Sequence, residues 1–179
     1  FRAPNLGETY SPLGQTYANG FVDPCATANI LAATTAEIRA NRVKNCDALA
    51  VADGFAAGYF DFAGATATNT DDYVPVYSSG ISGVDGGNPF LQPEESESLT
   101  FSIVAEPRFI PNLSIVLDYY EIEITNAIAT LSAAAIASNC VDGPSLAATC
   151  ANIFRNVPGV TNPTSPQERS QGFQVGEIG

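Results

Sequence analysis

The clearest pattern in the chain is an alternation of apolar and polar positions between residues 98 and 124. From Ser98 to Glu106 every second residue is apolar, with Val104 as the one exception, and a second alternation begins at Leu113. The short segment between the two runs, residues 107–112, contains two prolines, which cannot donate a hydrogen bond to a sheet. A period of two residues is typical of strands, so we predict an antiparallel β-hairpin with a short turn.

The two faces of this hairpin differ in polarity. Antiparallel pairing and alternation place one group of apolar side chains together and send the polar ones to the other side. The apolar group consists of Leu99, Phe101, Ile103, Ala105, Leu113, Ile115 and Leu117. The polar group consists of Thr100, Ser102, Ser114 and Asp118.

The alternation reverses beyond Tyr119 and Tyr120. Ile122 and Ile124 are apolar there, and glutamates take the positions that were apolar before. A soluble β-sandwich would need a bulge to accommodate this reversal. In a membrane barrel, the outer face ceases to contact lipid where the strand enters water, and tyrosines favour that boundary. We therefore predict that six side chains face lipid: Leu99, Phe101, Ile103, Leu113, Ile115 and Leu117.

The rest of the chain reads as long loops with short helices. A helix is predicted over residues 27–45, with Thr27 capping its first turn, and two more are predicted at 133–139 and 146–154, beginning after Ser132 and Ser145. The predicted fold class is mainly β: one hairpin of an antiparallel transmembrane β-barrel, with long loops that carry short helices. We divide this single partial barrel region into a loop segment of extracellular type with a short helix (1–97), the hairpin (98–124) and a second such loop (125–179).

The cysteines form two local pairs. The chain has four of them: Cys25 and Cys46 flank the first predicted helix, and Cys140 and Cys150 flank a Gly-Pro turn. An even number and close spacing within each pair favour two loop-closing disulfides, 25–46 and 140–150, although two other connectivities fit the sequence. A zinc site is the competing interpretation, but it normally uses closer cysteine spacing or histidine ligands. The chain has no histidine.

Charge excludes some partners. The net charge is −12, and the seven basic residues are scattered singly. Nucleic acid and anionic lipid surfaces are bound by clustered Lys and Arg, so we expect no nucleic-acid partner and no basic membrane patch. The acidic excess indicates a well-solvated surface. A weaker alternative is that loop carboxylates bind Ca²⁺ or a cationic ligand.

Catalytic chemistry finds little support. Without histidine there is no Ser-His or Cys-His couple, and the stretch 80–84 (Gly-Ile-Ser-Gly-Val) lacks the last glycine of a nucleophile elbow. Glu121 and Glu123 are spaced like the acids of an inverting glycosidase, but a solvated strand face is the favoured interpretation. We predict no enzyme, no cofactor and no metal site.

Two groups of loop residues allow an interpretation as ligand-binding residues beside a purely structural one. Asp71–Asp72 and the turn at residues 85–88 have oxygen ligands for Ca²⁺ but match no defined calcium loop, so turn chemistry is favoured. The loop aromatics either stack on a sugar or chelate or pack the long loop against itself, and the sequence favours neither. They are Tyr59, Phe60, Phe62, Tyr73 and Tyr77.

Three blocks of the chain resemble TonB-dependent outer-membrane receptors. Residues 1–8 (Phe-Arg-Ala-Pro-Asn-Leu-Gly-Glu) resemble the family's segment that leaves an outgoing barrel strand. Residues 87–98 resemble the stretch that returns to the membrane, and residues 113–124 resemble the next strand. The loop with two cysteines that follows is also similar. Together the blocks cover about a third of the chain, in the family's order and spacing.

The resemblance implies a section of a 22-stranded barrel that imports iron chelates, cobalamin, sugars or peptides. Its implied partners are the remainder of the barrel and its plug, TonB through an N-terminal region not present here, outer-membrane lipid, and a small-molecule or glycan ligand. The implied location is the outer membrane of a Gram-negative bacterium, with the loops at the cell surface. Neither end of the sequence reads as a natural terminus, so we expect a piece of a longer protein. The alternative is a secreted, disulfide-stapled β-rich subunit that self-assembles into a filament or adhesin through the free edges of the hairpin.

Overall fold

The computed structural model describes residues 1–66, 70–77, 80–110, 112–156 and 170–178. It divides into two compact units, each built from two stretches of chain. The hairpin unit comprises Phe1–Pro12 and Gly86–Thr130, and the loop unit comprises Leu13–Asp85 and Leu131–Gly179. The elements in chain order are α1 (Leu6–Tyr10), β1 (Gly14–Ala18), α2 (Thr27–Leu31), α3 (Ala36–Ala52), β2 (Ile81–Asp85), β3 (Glu95–Ala105), β4 (Ile115–Thr125), α4 (Ala133–Val141), a 3₁₀ turn (Ala148–Asn152), β5 (Ile153–Arg155) and β6 (Val175–Ile178).

The architecture is mixed helix and strand. Antiparallel pairing dominates and the loops carry helices, as expected, but helices and strands contribute comparably, so the fold class is mixed and not mainly β. The described strands form one four-stranded and one two-stranded sheet, and no closed barrel is present among them.

Strands β3 and β4 form the predicted hairpin. Their ladder pairs Glu95 with Thr125 at one end and Ala105 with Ile115 at the other, without a bulge. The hairpin is longer than predicted on its open side, where β3 begins at Glu95. It is shorter at the turn: Leu113 precedes β4 and donates its backbone N–H to Ile110 instead of joining the ladder.

The loop unit contains a four-stranded sheet in the order β1-β2-β6-β5. All its pairs are antiparallel except β2–β6, which is parallel. Gly83 is required at this parallel contact, since a Cβ there would lie 2.1 Å from the carbonyl oxygen of Ile178. None of these four strands was predicted. The Gly-Ile-Ser-Gly-Val stretch, which reads as a loop in the sequence, lies largely in β2, and the Ser82 hydroxyl donates to the carbonyl of Gly176.

A bulge in β6 gives this sheet a clean apolar face. Phe154 lies opposite Glu177, yet Arg155 lies opposite Val175, so Gly176 has no opposing residue. The extra residue shifts the alternation by one position. Both Val175 and Ile178 can therefore point into the core, where they are 2% and 4% exposed.

The helix predicted over residues 27–45 is two helices. α2 ends at Leu31, and α3 begins at Ala36 after Thr35, whose hydroxyl accepts a hydrogen bond from the N–H of Ile38. An N-cap of this kind satisfies a free N–H and fixes the helix start. Thr27 does not cap α2. It is buried instead, where its hydroxyl donates to the carbonyl of Asp61 and accepts from the N–H of Tyr73.

The helices after the hairpin agree with the prediction in part. Ser132 caps α4 through the N–H of Ala135, as predicted. The second predicted helix, 146–154, is wrong: a 3₁₀ turn is followed by β5, which includes Phe154. Residues 156–172, whose polar, proline-bearing sequence predicts a coil, lie mostly outside the described residues.

Candidate functional site

The apolar face of the hairpin is exposed to solvent. The ladder sets Phe101 opposite Tyr119 and Ile103 opposite Leu117, and opposite residues share a face of a sheet. Side chains on this face, such as Phe101 at 58% and Leu117 at 63%, remain exposed to solvent. A two-stranded ribbon has no second layer against which to bury them. Of the six side chains predicted to face lipid, five lie on this face, whereas Leu113 lies in the turn.

The face ends in tyrosine and glutamate. The Tyr119 hydroxyl donates a hydrogen bond to the Glu121 carboxylate at 2.9 Å. Beyond Glu121 on the same face, Glu97 lies directly opposite Glu123. Two like charges directly opposite each other destabilise a sheet unless water screens them. The boundary between the apolar and charged parts of this face therefore suits a transition into water. Glu121 and Glu123 are both exposed, as a solvated strand face requires.

The opposite face of the hairpin is mixed. The hydroxyl of Ser102 donates to the carboxylate of Asp118, which lies directly opposite in the ladder. Val104 lies opposite Val116 on the same face near the turn. This face therefore carries a polar centre, as predicted.

Two of the blocks that resemble receptor segments contact each other in the hairpin unit. Arg2 and Glu94 form an antiparallel bridge with two backbone hydrogen bonds of 2.9 Å, and the Arg2 guanidinium contacts the carboxylates of both Glu94 and Glu8. Glu8 closes a capping box with Asn5, and Glu94 also accepts from the N–H of Ile128 at 2.7 Å. Hydrogen bonds from the Asn5 backbone and Arg2 lower the pKa of Glu8. Arg2, Glu8 and Glu94 therefore form one charged cluster.

The loop unit is organised around a buried ion pair. Arg155 contacts Asp23 through two nitrogens, at 2.8 and 3.0 Å, and the side chains are 4% and 0% exposed. The Tyr73 hydroxyl donates to the same carboxylate at 2.8 Å, and the guanidinium lies 4.2 Å from the ring centre of Phe173. Burial opposes ionisation of Asp23, but the Arg155 charge and these hydrogen bonds outweigh it, so the pKa of Asp23 is lowered.

This pair joins the two chain stretches of the loop unit. Asp23 and Tyr73 come from the stretch before the hairpin, whereas Arg155 and Phe173 come from the stretch after it. Asn45, on α3, adds a second link, since its amide donates to the carbonyls of Val141 and Gly143. Sequence reasoning singled out Tyr73 as a loop aromatic but missed Asp23, Arg155, Phe173 and Asn45, because a single residue of these types has no local pattern. The only signal was that Arg155 directly follows the apolar pair Ile153–Phe154.

The loop aromatics pack the loop against itself. Phe60, Phe62 and Tyr73 are buried together with Phe173, and the ring centres of Phe60 and Phe173 are 5.4 Å apart. They form the core with both disulfides, Cys25–Cys46 and Cys140–Cys150, the two pairings that the cysteine spacing favours. Tyr59 and Tyr77 are only partly buried. Of the two readings, self-packing therefore holds for the three buried rings.

Of the residues considered for Ca²⁺, Asn88 serves a turn, since its side-chain oxygen accepts from the N–H of Phe90 at 2.9 Å, and Asp85 is the last residue of β2. The neighbouring Asp61 accepts from the N–H groups of Ala63 and Thr66. Burial and the neighbouring charges of Asp61 and Asp71 raise the pKa of Asp72. Within the described ranges, no three acidic, cysteine or histidine side chains lie close enough to hold a metal ion.

In the part of the chain that the structure describes, no helix is both long and apolar enough to cross a bilayer.

An exposed strand pair with one apolar face, flanked by long folded loops, is typical of a section of a β-rich surface receptor. Residues 1–176 match the family model described as TonB dependent receptor-like, beta-barrel, and the chain belongs to this family. No curated protein and no solved structure matches it. TonB-dependent receptors are transporters of the outer membrane and not enzymes.

Proposed function

We propose that this chain is the section of a TonB-dependent outer-membrane receptor that contributes one transmembrane hairpin and two outward-facing loops to the active uptake of a scarce nutrient. The nutrient classes are those of the family: an iron chelate, cobalamin, a saccharide or a peptide. The family match over residues 1–176 supports this proposal. The observation that carries it is the apolar face of β3–β4, which ends at Tyr119 and a glutamate pair.

The proposal assigns the two hairpin faces to different surroundings. Leu99, Phe101 and Ile103, with Ile115 and Leu117 opposite, contact lipid, and Leu113 contacts it from the turn. Ser102 and Asp118 face a polar lumen. About seven residues per strand, at about 3.3 Å each and tilted by about 40°, span slightly less than 20 Å. Flanking residues extend this toward the apolar band of about 25 Å found in such barrels.

A substitution series in the parent receptor tests the assignment. Ile103→Arg, midway along the apolar face, should cost about 2–4 kcal/mol of barrel stability, since a cation near the membrane centre loses its hydration, and Glu123→Arg, beyond Tyr119 on the same face, should cost close to nothing. Unfolding from bilayers by urea measures both. Ser102→Arg is the matched control on the other face and should be tolerated in a hydrated lumen.

Spin labels give the decisive readout. A nitroxide at position 101 should be accessible to oxygen dissolved in the bilayer, and one at 102 should be accessible to a water-soluble relaxation agent. The reverse pattern would show that the facing is inverted, and the proposed function would then fail.

The second candidate is a secreted, self-assembling subunit. It is favoured by the two-stranded sheet, because each of β3 and β4 pairs with only one described strand and leaves an edge free. Free edges recruit further strands. The two candidates separate on cell fractionation: the parent protein should be found in the outer membrane as a heat-modifiable barrel, whereas a subunit would appear in the medium as a polymer visible by electron microscopy.

A further inference from the structure

The solvent-facing side of the loop unit's sheet carries a row of side chains, one from each strand. Tyr17 lies opposite Ser82, Ser82 lies beside Glu177, and Glu177 lies opposite Phe154. Laterally paired residues share a face, so these four side chains point the same way. Three steps between strands of about 4.8 Å each separate Tyr17 from Phe154 by about 14 Å. We call Tyr17, Ser82, Glu177 and Phe154 the open-face row.

Aromatic residues occupy both ends of this row. Tyr17 is 59% exposed and Phe154 is 56% exposed, whereas Ile81 and Ile178 on the other face of the sheet are buried. A sheet with one buried face normally carries polar side chains on its wet face. The two exposed rings on this one face offer flat surfaces on which a ligand can stack.

A groove lies beside the row. It encloses about 270 Å³, and its lining includes Tyr17, Tyr77 and Ser82 with the amides of Asn156 and Gln174. The side-chain oxygen of Gln174 accepts a hydrogen bond from the backbone N–H of Val76, and the side-chain nitrogen of Asn156 donates one to the backbone carbonyl of Gln171. These contacts fix the two side chains. Within the described residues they leave the Gln174 amide nitrogen as a donor and the Asn156 amide oxygen as an acceptor.

The charge of the face excludes anionic ligands. Among the described residues, the four strands carry one basic side chain, Arg155, and it is buried against Asp23. A phosphate or an anionic iron chelate would therefore meet Glu177 and no cation. A neutral ring with an apolar face and hydroxyl groups at its edge fits better, because its C–H face can stack on an aromatic ring while amides and a carboxylate bind its hydroxyls.

We propose that this open face binds a neutral oligosaccharide. Tyr17 and Phe154 provide the stacking surfaces, and Ser82, Asn156 and Gln174 provide hydrogen bonds in the groove. The separation of about 14 Å between the two rings exceeds the width of a single sugar ring, so an extended chain of several sugars is the expected ligand. This inference rests on the proposed function, for which it names the ligand class.

The test uses the purified chain in an amine-oxide detergent, because a detergent with a sugar head group would compete. Calorimetry and saturation-transfer NMR follow neutral tetrasaccharides of glucose, xylose and N-acetylglucosamine, each added to about 10 mM, which suffices to detect millimolar affinity. An anionic ferric catecholate serves as the comparison ligand. The variants are Tyr17→Ala and Phe154→Ala, and the matched controls are Tyr120→Ala and Phe109→Ala, which remove exposed rings from the hairpin unit.

At least one neutral tetrasaccharide should bind, and each of Tyr17→Ala and Phe154→Ala should weaken it about five- to tenfold, the loss expected for one stacking ring. The two control variants should bind the sugar as tightly as the unsubstituted chain does. All four variants should have the melting temperature of the unsubstituted chain, since the four rings lie outside the core. Failure of every sugar to bind, or binding that both row variants leave unchanged, overturns the inference.

The proposed function is judged separately. If the label at position 101 contacts lipid while no sugar binds, the receptor assignment stands and only the ligand class falls. Preferential binding of the ferric chelate would have the same consequence. If the label pattern is inverted while sugar binding depends on Tyr17 and Phe154, the open face is a saccharide site on a protein that is not a receptor barrel.

Discussion

At the scale of single residues, the Asp23–Arg155 pair governs the loop unit. Of the ion pairs between described residues, it is the one buried on both sides. Removing two charges from water costs several kcal/mol each, and the mutual attraction offsets this only with good geometry and further hydrogen bonds. The two nitrogen–oxygen contacts and the Tyr73 hydroxyl supply those conditions.

Arg155→Met should destabilise the loop unit by about 3–5 kcal/mol, because it leaves the Asp23 charge buried without a partner. Urea unfolding followed by tyrosine fluorescence measures the loss. Arg39→Met, on the exposed side of α3, is the matched control and should cost about 1 kcal/mol or less. If both substitutions lowered the free energy of unfolding equally, the buried pair would contribute no more to stability than an exposed arginine does.

The pair also predicts how stability depends on pH. The folded pKa of Asp23 lies below its unfolded value, so the unfolded chain binds this proton more readily. The stabilisation is therefore present above the usual Asp pKa, and it is lost as pH falls toward the lowered folded value. Unfolding curves at several acidic pH values should show a steeper loss for the parent chain than for the double variant Asp23→Asn, Arg155→Met. If both proteins lost stability equally as the pH falls, the Asp23–Arg155 pair would not be the source of this pH dependence.

At the scale of elements, local pattern was a good guide to the hairpin and a poor guide to the sheet of the loop unit. The hairpin strands are neighbours in sequence and long enough for their alternation to be visible. Strands β1, β2, β5 and β6 have three to five residues each, and β2 pairs with β6 across most of the chain. Such short strands acquire their conformation from distant partners.

The break between α2 and α3 was likewise not visible in the sequence. Residues 32–35 are two alanines and two threonines, which carry no strong helix-stopping signal. Thr35 nevertheless begins a new helix, since its hydroxyl caps Ile38. The tertiary contacts of Thr27 with Asp61 and Tyr73 fix the position of α2. A sequence pattern alone does not distinguish one bent helix from two.

Gly83→Ala should disrupt the parallel contact between β2 and β6. A methyl group there would lie 2.1 Å from a backbone oxygen of Ile178, and backbone cannot move aside as a flexible side chain can. We expect a loss of about 3 kcal/mol or more, at the upper end of overpacking effects. Gly143→Ala is the matched control, because the added Cβ would sit 3.5 Å from its nearest neighbour, an ordinary contact. Urea unfolding of both variants decides the matter.

At the scale of the whole molecule, two loops that are separate in sequence share one core. The stretch before the hairpin supplies Phe60, Phe62 and Tyr73, and the stretch after it supplies Phe173. Neither disulfide crosses between them, because each closes a loop within its own stretch. The union therefore depends on noncovalent contacts: the aromatic cluster, the ion pair, the Asn45 amide and the β2–β6 pairing.

The two stretches should consequently open together. Native-state hydrogen exchange of the oxidised chain should give the Tyr73 and Asn156 amides the same opening free energy, since each is held by a hydrogen bond within the loop unit, to the Thr27 hydroxyl and to the Gln174 carbonyl respectively. Arg155→Met should lower both by the same amount. Exchange that accelerates at Asn156 alone would show that the loops unfold independently.

The hairpin and the resemblance to the receptor family were evident in the sequence, which also favoured the cysteine pairing that the structure has. These features depend on neighbours along the chain: alternation between adjacent strands, short spacing between cysteines, and motif blocks such as Phe1–Glu8. Tertiary structure alone decided which loop aromatics are buried, the pairing of Asp23 with Arg155, and the open face of the second sheet. Those features join residues up to 132 positions apart, and a single Asp, Arg or Tyr carries no sign of its partner until the chain folds.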